Sequence, residues 1–261
     1  MAWSMITPPS LTSAADAPSA PGPDRAGTAG GVQAVLRALD LMAVLTAMPD
    51  GIGLSDAARR AGLAASTAHR LLNTLANRGW ARFDSGSGLW QVGPEAFVTG
   101  QAFDPARHLV QTARPVMQRL MERSGETVNL AIRADDRMLY LAQVECAEMM
   151  RAFARPGARV PMVSTGVGKA LLAAGSLPTP AGADAIGTEL DLIRRRGWAL
   201  DDEEQSVGLR CVAAAIPAGR AGGTPKAAIS ISGPTARISD DRLDLLGRMV
   251  GDAAAEIGRA L

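Results

Sequence analysis

The 261-residue chain has little of what most enzyme chemistry uses. It holds two cysteines, Cys146 and Cys211, and two histidines, His69 and His108. Two distant cysteines form neither a disulfide framework nor a CxxC pair, so a reducing cytoplasm is the expected compartment. None of these residues has metal-ligand spacing, and neither a metal nor another cofactor is expected. Cys211 could be read as the nucleophile of an enzyme, but a thiol nucleophile needs a base beside it. His69 belongs to a helix with a different reading and His108 opens a helix at a domain junction, so an enzyme is not expected. Lysine is confined to Lys169 and Lys226, which leaves 25 arginines among 27 basic residues, a usage that fits a GC-rich genome. The net charge of +1 gives no global basic field, and any polyanion site must be a local patch. Aromatic residues make up 3%, which argues mildly against a pocket for large aromatic ligands. No run approaches the roughly 20 apolar residues of a membrane span, and the N-terminus lacks the basic-then-apolar order of a signal peptide.

What the chain does have is a 47% apolar composition and a length suited to one large domain or two small ones. Residues 1–30 are rich in Pro, Ala, Ser, Gly and Thr without apolar periodicity, and read as a disordered tail. VQAVLRALDLMAVLTA is helical in pattern and stops at the turn Pro49-Asp50-Gly51. GLSDAARRAGL follows, with Ser55 as expected N-cap and Gly62 as stop. In LAASTAHRLLNTLANRGW, Ala68, Leu71, Leu72 and Leu75 fall at i, i+3, i+4 and i+7 and make one apolar stripe. The opposite face carries Ser66, Thr67, His69, Arg70, Asn73 and Thr74, with no acid among them. Then WARFD and LWQVG form a hairpin around Ser85–Gly88. Three helices and a hairpin in about 60 residues make a winged helix-turn-helix, and that context turns an otherwise ordinary amphipathic helix into a DNA reader. Ser66, Thr67, His69, Arg70 and Asn73 are the expected groove residues, with Arg82 on the wing against the phosphate backbone. The domain is assigned to 31–93 and a linker helix to 94–106.

From 107 to 261 helices and strands alternate. RHLVQTARPVMQRLMERSG is an amphipathic helix ending at Gly125. ETVNLAIRA and RMLYLAQVEC are strands around Asp135-Asp136, and MRAFARPGARVPMV reads as another strand with a turn at Pro156-Gly157. GVGKALLAAG and ELDLIRRRG read as helices, GLRCVAAAIP and KAAISISG as strands. SDDRLDLLGRMVGDAAAEIGRAL is a terminal helix with Ser239 as its cap. The expected class is α+β on an antiparallel sheet.

Two features of this half suggest a ligand. Leu209 and Cys211 share one side of a strand, as do Ser230 and Ser232. Gly166-Val167-Gly168 opens a helix whose first amides lack intrahelical acceptors, a place that suits an anion. Asp201 begins an acidic run and could accept a hydrogen bond from a ligand hydroxyl; the rest of the run reads as solvated. The same serines could instead satisfy backbone groups at a sheet end, and Cys211 could be a small packing residue. Gly166–Lys169 ends like a phosphate-binding loop, but Val163 replaces the first glycine and Ala170 the Ser or Thr for magnesium, so nucleotide binding is not expected.

STAHRLLNTLANRGW, SGETVNLAI, YLAQVE, GVGKALLA, DDEEQSVGLRCVAAAI and AAISISGPTARISDDR, in that order, resemble the isocitrate lyase regulator (IclR) family of bacterial transcription factors from Val32 to Leu261. The resemblance implies an N-terminal winged helix-turn-helix, a linker helix and a GAF-like effector-binding domain. It implies homodimers, and dimers of dimers, on double-stranded pseudo-palindromic operators. The family branch that senses glyoxylate and pyruvate is similar at the ligand positions, which match Gly166, Val167, Asp201, Leu209, Cys211, Ser230 and Ser232. Val163 departs from a histidine found in many members, Ala152 from a larger methionine, and residues 175–188 are shorter than usual. The expectation is a DNA-binding repressor whose operator affinity is modulated by a small carboxylate effector, a 2-oxo acid. The alternative is an activator of aromatic-acid catabolism from the same family.

Overall fold

A computed structural model of the chain describes residues 31–102, 104–152, 154–175, 183–219 and 222–261. The tail expected at 1–30 and residues 176–182 of the short segment at 175–188 lie outside the described residues. The chain divides into two compact units, the first ending at Thr99 and the second beginning at Gly100.

The first unit contains α1 (Gln33–Ala47), α2 (Leu54–Arg60), α3 (Ala65–Asn77), β1 (Ala81–Asp84) and β2 (Leu89–Val92). Leu41 and Leu45 of α1, Ala57 and Ala58 of α2, and Ala68 and Leu72 of α3 meet in one core with Ile52, Ala81 and Trp90. Leu71 and Leu75 pack at its edge. The i, i+3, i+4, i+7 stripe is therefore the buried face of α3. β1 and β2 pair antiparallel, and Ile52 bridges to Trp90, which ties the segment before α2 to the hairpin. Asp84 closes the hairpin turn by accepting from the Gly86 amide and the Ser87 hydroxyl.

One cap differs from expectation. Gly53, not Ser55, is the N-cap of α2. Gly53 has the extended backbone a cap position needs, and Ser55 falls inside the first turn. α4 (Pro94–Gln101) follows the hairpin.

The second unit starts with α5 (Asp104–Ser124) and contains a six-stranded antiparallel sheet. Its strands are β3 (Thr127–Ala134), β4 (Arg137–Val144), β5 (Arg159–Pro161), β6 (Ala199–Asp202), β7 (Leu209–Ile216) and β8 (Ala227–Pro234), in the order β5-β4-β3-β8-β7-β6. α5 and the terminal helix α8 (Asp240–Ala260) cover one face over Leu130, Val212, Ile229 and Ile231. α6 (Gly166–Ala173) and α7 (Gly187–Arg196) cover the other over Ala131, Ala199, Ala213 and Ala228. The alternation is what a sheet buried on both sides requires: large residues under the long helices, alanines where α6 comes close.

Three expectations are corrected here. The strand expected over 150–163 shrinks to Arg159–Pro161: the turn at Pro156-Gly157 bonds to Tyr140 of β4 through Gly157 and Ala158, and the regular register begins at Arg159. Ser239 is the N-cap of α8 by backbone conformation, but its side chain makes no cap hydrogen bond. β6 was not expected, since its four residues end in two aspartates, a poor strand signal.

Candidate functional site

On α3, Ser66, His69, Arg70 and Asn73 are exposed and Thr67 is half-buried. They lie on the side opposite Ala68 and Leu72, where the helix is free of its own core. The Asn73 amide is 3.2 Å from His69 Nε2, so these two side chains hold each other on the exposed face. Thr74 is spent differently: its hydroxyl donates to the Arg70 carbonyl at 2.8 Å. Arg82 is exposed on β1.

In the second unit, strand register brings the other candidates together. Asp201 pairs with Cys211, Cys211 with Ser232, and Ser232 with Thr127. One step along, Ala213 pairs with Ser230, Ser230 with Asn129, and Asn129 with Gln143. Residues directly opposite on antiparallel strands point to the same face, so all of these share the side covered by α6. Gly166 brings the start of α6 onto this row. A Cβ there would lie 3.0 Å from the Cys211 carbonyl and 3.3 Å from Ala213 Cβ. At Gly168 a Cβ would lie 2.2 Å from the Met162 carbonyl, so only glycine fits. Thr165 caps the helix: its hydroxyl accepts from the Gly168 amide and donates to the Pro161 carbonyl. The Gly166 and Val167 amides are then the first-turn donors left over.

The electrostatics are those of a buried polar cluster. Asp201, Cys211, Ser230 and Ser232 are all buried. Asp201 accepts from the Glu204 and Gln205 amides, yet burial pushes its carboxyl up to about 6. Burial likewise pushes the Cys211 thiol up to about 11, against the opposing influence of the Ser232 and Ser230 hydroxyls beside it. A thiol that stays protonated at neutral pH packs and donates weakly; it does not attack. Tyr140 is also raised, first by burial and then by the Cys211 and Asp201 charges. Among the described residues, the Ser230 hydroxyl is a buried side-chain oxygen with no hydrogen-bond partner.

The buried Lys169 does not serve as a free cation. Its ammonium lies 2.6 Å from Glu189 Oε1 and also pairs with Glu204. Beyond Asp201 the acidic run is exposed, as expected, and Glu204 is in addition held against a lysine whose side chain is fully buried. Leu209 is half-buried beside Cys211, Ala152 is buried, and Val163 packs against the core under α6. No group of three or more potential metal ligands occurs among the described residues.

The helix-turn-helix and the two-faced sheet have counterparts among known families. Residues 34–85 match the IclR helix-turn-helix domain, and residues 105–180 and 176–259 match the bacterial transcriptional regulator IclR C-terminal domain. The chain belongs to the IclR family. Its members are transcriptional regulators rather than enzymes, with a DNA-binding unit and an effector-binding unit. The HTH-type transcriptional regulator BhcR of Paracoccus denitrificans is 43% identical over 248 residues, covering 87% of each chain. The acetate operon repressor of Salmonella typhimurium is 39% identical over 247 residues, covering 87% of this chain and 89% of that one. An IclR homolog of Microbacterium hydrocarbonoxydans, solved in complex with 4-hydroxybenzoate, shares the fold with a TM-score of 0.74 at 23% identity, over 86% of this chain and 97% of that one.

Sequence reasoning missed four polar residues in or beside this buried cluster: Asn129, Gln143, Thr165 and Lys169. Asn129 and Gln143 were legible only as strand residues; an Asn at 1% exposure in a strand becomes a signal once burial is known. Thr165 had a legible sign, a threonine directly before a helix-opening glycine.

Proposed function

We propose that this IclR-family regulator is a repressor that binds a small 2-oxo acid, glyoxylate first and pyruvate second, and thereby changes its affinity for a pseudo-palindromic operator. Ser66, Thr67, His69, Arg70 and Asn73 enter the major groove and Arg82 contacts the backbone. One such helix makes too few base contacts for a specific site, so the protein acts as a homodimer and pairs into a tetramer on DNA.

The observation that carries the effector reading is the unpartnered Ser230 hydroxyl, buried beside Ser232 and Cys211 under the first turn of α6. A buried hydroxyl left without a bond costs about 1–3 kcal/mol, which a ligand oxygen would relieve. The donors around it are all neutral: two amides and two hydroxyls. They suit a small carboxylate, and the alanines at 199, 213 and 228 line the same face, with the Tyr140 ring packed against that cluster. With Lys169 committed to its glutamates there is no arginine or lysine clamp, so affinity is modest, and few ligand atoms can each contribute at most about 1.5 kcal/mol. The name of the Salmonella relative, an acetate operon repressor, fits a signal from two-carbon acid metabolism.

Calorimetry of the full chain against glyoxylate, pyruvate, a dicarboxylate and 4-hydroxybenzoate tests the reading, together with operator binding at saturating acid. Heat with glyoxylate or pyruvate and a shift in operator affinity support it. Heat with 4-hydroxybenzoate alone replaces it with the aromatic-acid reading.

A further inference from the structure

A bond relay reaches the pocket from β4. Gln143 Nε2 donates to Asn129 Oδ1 at 2.9 Å, and Asn129 Nδ2 donates to Ser232 Oγ at 3.1 Å. Asn129 is 1% exposed and Ser232 4%. The relay has a direction. An amide has one acceptor end and one donor end, so a donor at 143 turns the Asn129 nitrogen toward the serine. Ser232 then receives a bond on its oxygen, and its own proton is left to point away from Asn129. The neighbouring Ser230 oxygen makes no hydrogen bond, with the Cys211 thiol beside it.

We propose that Asn129, oriented by Gln143, is a positioning and specificity residue that turns Ser232 outward as a hydrogen-bond donor, so that the pocket accepts a carboxylate and discriminates against its neutral amide. The inference rests on the effector reading above. A carboxylate is acceptor-only, whereas a primary amide presents two donors at one end. A pocket edge of Gly166 N–H, Val167 N–H, Ser230 O–H and a donor-fixed Ser232 O–H satisfies the first and leaves the second with a donor facing donors. If the relay ran the other way, Asn129 Oδ1 would take the Ser232 proton, and the serine would face the ligand with lone pairs only. Charge on the ligand is then read without any charge on the protein, by fixing which way three side chains hand on their hydrogens. The other groups in the row leave this path open: Thr127 is engaged with Cys146, Asp201 with the Glu204 and Gln205 amides, and the Cys211 thiol beside both serines is a weak acceptor that a carboxylate oxygen outcompetes for their protons.

Gln143→Glu reverses the relay without touching a serine. A carboxylate at 143 has no donor, so Asn129 must turn its nitrogen toward it and its oxygen toward Ser232. The full-length protein and this variant are titrated by calorimetry with pyruvate and pyruvamide, and with glyoxylate and its amide. Gln143→Met, which removes the relay without reversing it, is titrated beside them, and thermal unfolding checks that each variant is folded. The wild type is expected to prefer each acid over its amide. In Gln143→Glu acid affinity falls about tenfold or more, the cost of one hydrogen bond to a charged group, while amide affinity holds or rises. Gln143→Met lies between the two. An acid-to-amide ratio in Gln143→Met equal to that of the wild type overturns the inference, whatever the added charge of Gln143→Glu does to the acids, and leaves the effector reading standing. A folded wild type that binds none of the acids overturns both.

Discussion

Ser66, His69, Arg70 and Asn73 stand in solvent on one face of α3, whereas Asp201, Cys211, Ser230 and Ser232 are at most 5% exposed on one face of the sheet. The first set makes almost no bonds that the fold needs. The second is threaded through it: Asp201 holds two backbone amides and Ser232 accepts from Asn129. A surface reader can therefore be altered residue by residue at the expense of its partner alone. A buried reader cannot, because each polar atom serves the ligand and the fold together. Ser230 is the exception in the second set, and so it connects the two cases.

The sharpest break of this comparison lies just outside the pocket. Arg237 donates to both oxygens of Glu126, which is 1% exposed. Arg237→Ala leaves that carboxylate buried and unpaired, and is expected to cost about 3 kcal/mol of stability. Chemical denaturation reads it; no change in midpoint would mean that Glu126 finds water. Ser230→Ala comes next. It should weaken effector binding by about 1.5–3 kcal/mol in calorimetry while leaving the denaturation midpoint unchanged or raised, since it removes an unpartnered hydroxyl. A clear loss of stability would give Ser230 a bond in the fold that the structure lacks.

In the exposed set, Arg70→Ala should cost about 1–3 kcal/mol on the operator with unchanged thermal unfolding, and Arg82→Ala should weaken binding to all sequences and reduce the salt slope by about one. Unaltered DNA affinity in both variants would remove α3 and the wing from the interface. The smallest effect is a pH dependence. Burial raises the Asp201 carboxyl from 3.8 to about 6, so the folded chain holds this proton more tightly than the unfolded one. Its contribution favours the fold below 3.8 and is lost as pH rises to about 6. Relative to Asp201→Asn, the wild type should lose thermal stability across that window; parallel curves would contradict the shift.

The helices and most strands were legible because their signals are local. The α3 stripe, the Ser85–Gly88 turn and the glycines after α3 and α5 depend on neighbours in sequence. The pocket was legible only as pairs, Leu209 with Cys211 and Ser230 with Ser232, because spacing of two is all that one strand reveals. What joins those pairs is register between strands, and register comes from contacts distant in sequence. That is why Asn129 and Gln143 went unseen, and why β6 looked like the beginning of a solvated acidic run. The lysine of the Gly-Val-Gly-Lys stretch was set aside with nucleotide binding; its partners at 189 and 204 belong to other elements. Ser55 shows the opposite limit: a good capping residue loses its role when the chain turns two residues earlier.

β8 lies in the interior of the sheet, between β3 and β7, and both of its faces are buried. Ser230 and Ser232 face the side covered by α6, while Ile229 and Ile231, which alternate with them, are anchored under α5 and α8. No slack layer separates these serines from the hydrophobic core. An effector that loads the serines also restrains the isoleucines, because they share one stretch of backbone. Occupancy of the pocket should therefore register as slower amide hydrogen exchange along β8 and into the strands on either side of it, well beyond the few atoms the ligand can touch.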